Sequence, residues 1–138
     1  MQTPVDVVPG FNLQPRLRVF AGSEMVLGWG KIMLLKLIRE TGSIAEAART
    51  MDMSYNHAWN LIRIMNNNFK DPLVAASRGG KGKGGAQVTE AGEKVLRLYE
   101  EMAEECLKAT RSQWRKMQSL LQTSTPQPTS QTQNSAEE

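Results

Sequence analysis

Asn56, Asn60, Arg63 and Asn67 stand at i, i+4, i+7 and i+11, a spacing that lines them along one side of a helix. Their chemistry is that of planar hydrogen-bonding groups. A carboxamide offers a donor and an acceptor side by side, and a guanidinium offers a fork of donors. In the major groove of B-DNA the first pairs bidentately with adenine and the second with guanine. Tyr55 and His57 stand beside them, within reach of a phosphate or a base edge. A second polar group follows downstream. In RGGKGKGG, residues 78–85, Arg78, Lys81 and Lys83 alternate with five glycines. Glycine permits close backbone approach and the cations neutralise phosphate. The stretch lacks G-x-x-x-x-G-K-[ST] and does not lead straight into a helix, which sets aside a nucleotide-cradling loop.

These groups need elements to hold them. Ala58, Leu61, Ile62, Met65 and Phe69 form an apolar stripe complementary to the polar one, so a helix is expected from Tyr55 to about Phe69. Ser54 is its expected cap, and Trp59 is expected at the edge of the stripe in a packing role. The preceding helix carries Ile44, Ala47, Ala48 and Met51 at i, i+3, i+4 and i+7, with small alanines that admit a close neighbour. Ser43 caps it, and Glu46 three residues later predicts a capping box. An earlier helix is expected from near Val26 to Thr41, stopped by Gly42. Before it, Arg16–Phe20 alternates charged with apolar and reads as a short strand turned by Gly22-Ser23. Asp71-Pro72 ends the third helix. Leu73–Ser77 and Ala86–Val88 read as strands flanking the glycine-rich loop. Thr89 then caps a final helix expected to reach about Leu121. Its stripe of Val95, Leu98, Tyr99, Met102, Cys106 and Ala109 is apolar enough to bury.

The fold class expected is mainly α: a winged helix-turn-helix with a two-stranded wing, a short N-terminal strand and a long C-terminal helix. The expected division is a flexible stretch over 1–14, one domain over 15–121, and a disordered polar tail over 122–138. The tail carries prolines and almost no apolar side chains.

Charge supports a polyanionic partner. The 138 residues carry a net +3. Residues 16–89 hold eleven bases against five acids, a local +6, whereas 90–121 balance six against six. Enzyme chemistry has little foothold: there is one His and one Cys, and neither has a local partner or metal-ligand spacing. No catalytic group, metal or cofactor is expected. The single Cys106 makes no intrachain disulfide and points to a reducing, cytoplasmic setting. No apolar run approaches the roughly 20 residues of a membrane span, and the N-terminus lacks the form of a secretion signal.

Residues 41–69, TGSIAEAARTMDMSYNHAWNLIRIMNNNF, together with LVAASRGGKGKGGAQVTEAGEKVL downstream, resemble the DNA-binding domain of the ModE family of molybdate-responsive regulators. The TGSI…AA start, the M-S-Y turn, the A-W pair, the Gly/Lys wing and the T-x-x-G helix start carry the likeness. It extends over about residues 16–121. Any one motif alone indicates only a general winged helix of the LysR type. The resemblance implies a homodimer on a palindromic double-stranded operator, one recognition helix per half-site. Base reading then falls to Asn56, Asn60 and Arg63. Ser43, Ser54, Tyr55, His57, Arg78, Lys81 and Lys83 are the expected phosphate contacts, and Val95, Leu98, Met102 and Cys106 the expected dimer seam. ModE-like proteins carry C-terminal molybdate-binding domains where this sequence has its polar tail. The expectation is therefore a ModE-like regulator without its own molybdate pocket, linked to molybdenum or related metal metabolism. It would act alone, recruit a sensor from another chain, or answer another signal. The competing expectation is a winged-helix interaction module or anti-repressor without DNA binding.

Overall fold

Two glycines and two serines set most of the element boundaries in the N-terminal half. A computed structural model describes residues 10–77 and 85–122. Among these, 15–77 with 85–104 form one compact unit, and 10–14 with 105–122 form another. The expectations for residues 1–9, 78–84 and 123–138, including most of the flexible N-terminus and nearly all of the tail, lie outside the described residues.

Strand β1 (Val19–Ala21) turns through Gly22-Ser23 into β2 (Glu24–Leu27), pairing antiparallel with Ala21 opposite Glu24. Gly22 takes φ +64, a left-handed value that suits glycine at a two-residue hairpin turn. The sequence predicts the turn but not its return strand, because Val26 and Leu27 are expected at the start of a helix. They are strand residues, and the helix α1 begins only at Trp29, after an extended Gly28. The apolar run at this point fits either period, and the hairpin decides it.

Helix α1 (Trp29–Thr41) buries Ile32, Leu34, Leu35 and Ile38 and ends at Gly42, whose φ of +72 lets its N–H reach the Ile38 carbonyl. Lys31 is also buried on this helix. Its Nζ donates to the Met25 carbonyl at 2.9 Å. Burial pushes its pKa down, and the Glu24 carboxylate pulls the other way. Helix α2 (Ile44–Thr50) follows, with the Ser43 Oγ accepting from the Glu46 N–H at 3.0 Å. The expected capping box is only half made. The Ser43 N–H donates to Thr41 Oγ1, and the Glu46 carboxylate lies 3.4 Å from Arg49 instead.

Helix α3 (Tyr55–Asn68) buries Ala58, Ile62 and Met65, with Leu61 and Phe69 packed partly into the same core. Strands β3 (Val74–Ser77) and β4 (Gly85–Val88) pair antiparallel, Val74 opposite Val88 and Ser77 opposite Gly85. The Ala86 N–H donates to the Gly42 carbonyl, and Ser43 bridges Gly85, so this ribbon is stitched to the junction of α1 and α2. Helix α4 (Glu90–Ala109) starts under Thr89, whose hydroxyl accepts from the Gly92 N–H and donates to the Pro72 carbonyl. The single helix expected to Leu121 is two. Thr110 interrupts it, donating its hydroxyl to the Cys106 carbonyl at 2.7 Å, and α5 (Arg111–Gln118) resumes beyond. A threonine hydroxyl bonded back to the preceding turn tends to bend a helix, and here it shares the Cys106 carbonyl with the Thr110 N–H.

Asn66, near the end of α3, ties that helix to β3. Its Oδ1 accepts from the N–H groups of Leu73 at 2.8 Å and Val74 at 3.3 Å, and its Nδ2 donates to the Val74 carbonyl at 3.1 Å. The amide thus replaces a missing strand neighbour. At about 1 kcal/mol per net bond, Asn66→Ala is expected to lower unfolding free energy by about 2–3 kcal/mol in urea titration. Asn66→Asp keeps the acceptor but sets a carboxylate oxygen against the Val74 carbonyl, so it should not recover the loss. Gly92 permits another close approach: a Cβ there would sit 2.5 Å from both the Leu73 carbonyl oxygen and Val88 Cγ1. Gly92→Ala is therefore expected to cost about 1–3 kcal/mol through overpacking, read as a lowered Tm.

Candidate nucleic-acid interface

The link between α2 and α3 is four residues long, and its backbone is fully specified. The Met53 N–H bonds to the Ala48 carbonyl and the Asp52 N–H to the Arg49 carbonyl, both at about 3 Å. This pair of bonds is the Schellman pattern, which needs a left-handed residue after the cap. Asp52 supplies it with φ +59. Glycine is the commonest residue there, but a short polar side chain tolerates the same angles. Ser54 then caps α3, its Oγ accepting from the His57 N–H at 3.0 Å. Ala47, Ala48 and Ala58 are all buried in the core that α2 and α3 share. Small side chains bring the helices close, and the tight turn fixes the angle at which α3 leaves.

The outcome is a helix whose far side is open. Tyr55, Asn56, His57, Asn60, Arg63 and Asn67 are all exposed. Arg63 lies 3.4 Å from the Asn60 carboxamide oxygen, a long contact within the same row. The hydroxyls of Ser43 and Ser54 are engaged as acceptors by helix N–H groups. Each retains its own proton to donate to an oxyanion. The Ser43 position is half-buried and that of Ser54 is open.

Trp59, expected at the edge of the stripe in a packing role, is 41% exposed, and its Nε1–H donates to the Tyr55 hydroxyl at 2.8 Å. The bond within this Tyr–Trp pair at i, i+4 was not foreseen, because the apolar ring favoured packing alone. Asn66 was also missed, because an amide at the end of a helix carries no spacing signal. The loop cations Arg78, Lys81 and Lys83 lie outside the described residues, while the strands on either side are fixed by the Ser77–Gly85 pairing.

Of the expected seam, Val95 is half-buried against the core, Leu98 and Met102 are exposed, and Cys106 is half-buried. The residues that α4 buries are Gly92, Leu96 and Tyr99, and the Tyr99 hydroxyl donates to the Leu17 carbonyl at 3.0 Å. Leu98 and Met102, expected within a buried stripe, thus face away from that core. Elsewhere Trp29 lies under the Arg16 guanidinium at 4.3 Å and the Lys36 ammonium at 5.9 Å, and Lys36 also pairs with Glu100 at 3.0 Å. Among the described residues no helix is long and apolar enough to cross a membrane, and no cluster of side chains has the composition of a metal site.

Residues 29–93 match the family model described as a bacterial regulatory helix-turn-helix protein of the lysR family. Similar curated proteins include the molybdenum-pterin-binding protein MopB of Rhodobacter capsulatus, 45% identical over 73 residues. The transcriptional regulator ModE of Yersinia pestis is 44% identical over 73 residues. The DNA-binding transcriptional dual regulator ModE of Escherichia coli K12 is 40% identical over 74. These alignments take in 53%, 53% and 54% of this chain, but only 27%, 28% and 28% of the relatives. The chain thus spans little more than a quarter of the length of the proteins it matches. What matches is the stretch built above, from the first helix through the capped turn and the paired strands. Over residues 29–93 the chain is thus similar to the helix-turn-helix of lysR-type regulators, and over about 73 residues to ModE and MopB.

Proposed function

We propose that this protein is a sequence-specific, double-stranded DNA-binding transcriptional regulator that acts as a homodimer in molybdenum metabolism. The observation that carries the reading is the face of α3. Asn56, Asn60 and Arg63 stand exposed on a helix held out by a rigid turn and a short alanine-lined helix. A helix presented in this way fits a major groove roughly 12 Å wide. The excess of six positive charges over residues 16–89 supplies the sequence-independent attraction.

In this mechanism Asn56, Asn60 and Arg63 meet base edges. Tyr55, His57 and the hydroxyls of Ser43 and Ser54 meet phosphates around the start of α3. Arg78, Lys81 and Lys83 neutralise the backbone further along. Two copies joined through Leu98 and Met102, with Val95 and Cys106 flanking, place two recognition helices on a palindrome. The link to molybdenum is supported by the names of the similar proteins, ModE and MopB. A winged-helix interaction module or anti-repressor is less favoured, since binding a protein partner gives no reason for the basic excess.

Two substitutions separate base reading from backbone attraction. Arg63→Ala is expected to cost roughly 1–3 kcal/mol in binding a selected operator and to relax preference at one base position. Lys81→Ala is expected to weaken binding to every sequence alike and to reduce the slope of log K against log salt by about one phosphate's worth. Fluorescence anisotropy over a salt series measures both. Salt-independent or undetectable binding by the parent would favour the interaction-module reading.

A further inference from the structure

Tyr55, Trp59 and Arg63 follow one another at i, i+4 and i+8, a row beside the one formed by Asn56 and Asn60. Trp59 is 41% exposed and Tyr55 48%, so two large rings stand partly open along the flank of the polar face. The contact between them restricts what they can offer. The indole has one polar atom, a donor, and that donor is already spent on the Tyr55 hydroxyl at 2.8 Å. What Trp59 presents outward is therefore hydrocarbon, with no hydrogen-bonding group left free. The same bond holds the ring in place, so little side-chain freedom remains to be lost when a partner arrives. The Tyr55 oxygen accepts this bond and keeps its own proton for an outside acceptor.

We propose that Trp59, locked by Tyr55, is a specificity residue that reads the 5-methyl group of a thymine next to the base contacted by Arg63. This rests on the DNA-binding role proposed above. In the major groove thymine alone among the four bases carries an apolar substituent on its exposed edge. Cytosine presents an amino donor there, and the purines present polar edges. A ring with no free donor or acceptor leaves those groups unsatisfied and packs well only against the methyl. Tyr55 acts here as a positioning residue, through its hydroxyl.

The test begins by selecting duplexes from random DNA with the parent protein. Each thymine of the selected site is then replaced in turn by deoxyuridine, which removes the methyl group and nothing else. At one position per half-site the replacement is expected to weaken parent binding by about fourfold, the worth of one buried methyl. In Trp59→Ala that ratio should fall to one at that position while the other positions keep their preferences. Tyr55→Phe, which removes only the hydroxyl, should lower the ratio without abolishing binding. Circular dichroism verifies that each variant is folded. A parent that binds its selected site but shows no thymine-to-uracil effect overturns this proposal alone. So does Trp59→Ala retaining the fourfold ratio. A parent that selects no duplex overturns the DNA-binding reading, and this proposal with it.

Discussion

The close approach of α2 to α3 is the constraint on which the rest of the domain depends. It requires three buried alanines, Ala47, Ala48 and Ala58, and a turn that reverses the chain within four residues. The turn in turn requires a residue at φ +59, and Asp52 accepts that angle at a small conformational cost. Larger side chains at the alanine positions would push the helices apart and swing α3 off its exit angle. The polar face would remain polar, but no longer project. The exposure of Asn56, Asn60 and Arg63 is thus set by residues that are themselves buried or in the turn.

A second constraint joins this helix pair to the strands. Asn66 fills three backbone hydrogen bonds at the start of β3, and β4 is bonded to Gly42 and Ser43 at the head of α2. The ribbon is therefore anchored at both ends of the helix-turn-helix. Gly92 lets α4 close on the Leu73 backbone from the other side. The base of the β3–β4 ribbon and the outer face of α3 belong to one rigid assembly.

Much of this was legible in the sequence because it depended on local chemistry. Ser43, Gly42, Ser54 and Thr89 each announce a boundary, since caps and left-handed stops depend on one residue type at one position. The outward face of α3 was legible because its apolar complement has a clear 3.6-residue period. The failures have a common cause. Val26-Leu27 could serve a strand or a helix, and only pairing with Val19–Ala21 decides between them. Glu46 could complete a capping box, but Thr41 competes for the same N–H. Trp59 could pack at the edge of the stripe or present its N–H, because a large ring with one donor suits both. Its partner Tyr55 sits one turn away on the same exposed side. Thr110 marks a break in a helix whose period continues past it, its hydroxyl sharing the Cys106 carbonyl with its own N–H. In each case two local solutions compete, and a contact not encoded by spacing selects one.

The polar contacts on the outer face of α3 differ in strength, and the difference bears on what binding costs. The Arg63–Asn60 contact is long at 3.4 Å and lies open to water. Exchanging it for base edges gives up little, because exposed pairs of this kind contribute a fraction of a kcal/mol. The Trp59–Tyr55 bond is short at 2.8 Å and satisfies the only polar atom of the indole. Breaking it would expose a donor and free two rings. Under the proposed reading, the groups suited to hydrogen-bonding patterns are joined by the longer contact, and the ring suited to reading shape by the shorter one. Hydrogen bonds to bases need small adjustments of angle, which a loose pair allows. An apolar contact gains nothing from adjustment and loses affinity to it, so a fixed ring discriminates better than a mobile one. The division of the face into a yielding amide and guanidinium row and a rigid aromatic row follows from these opposite requirements.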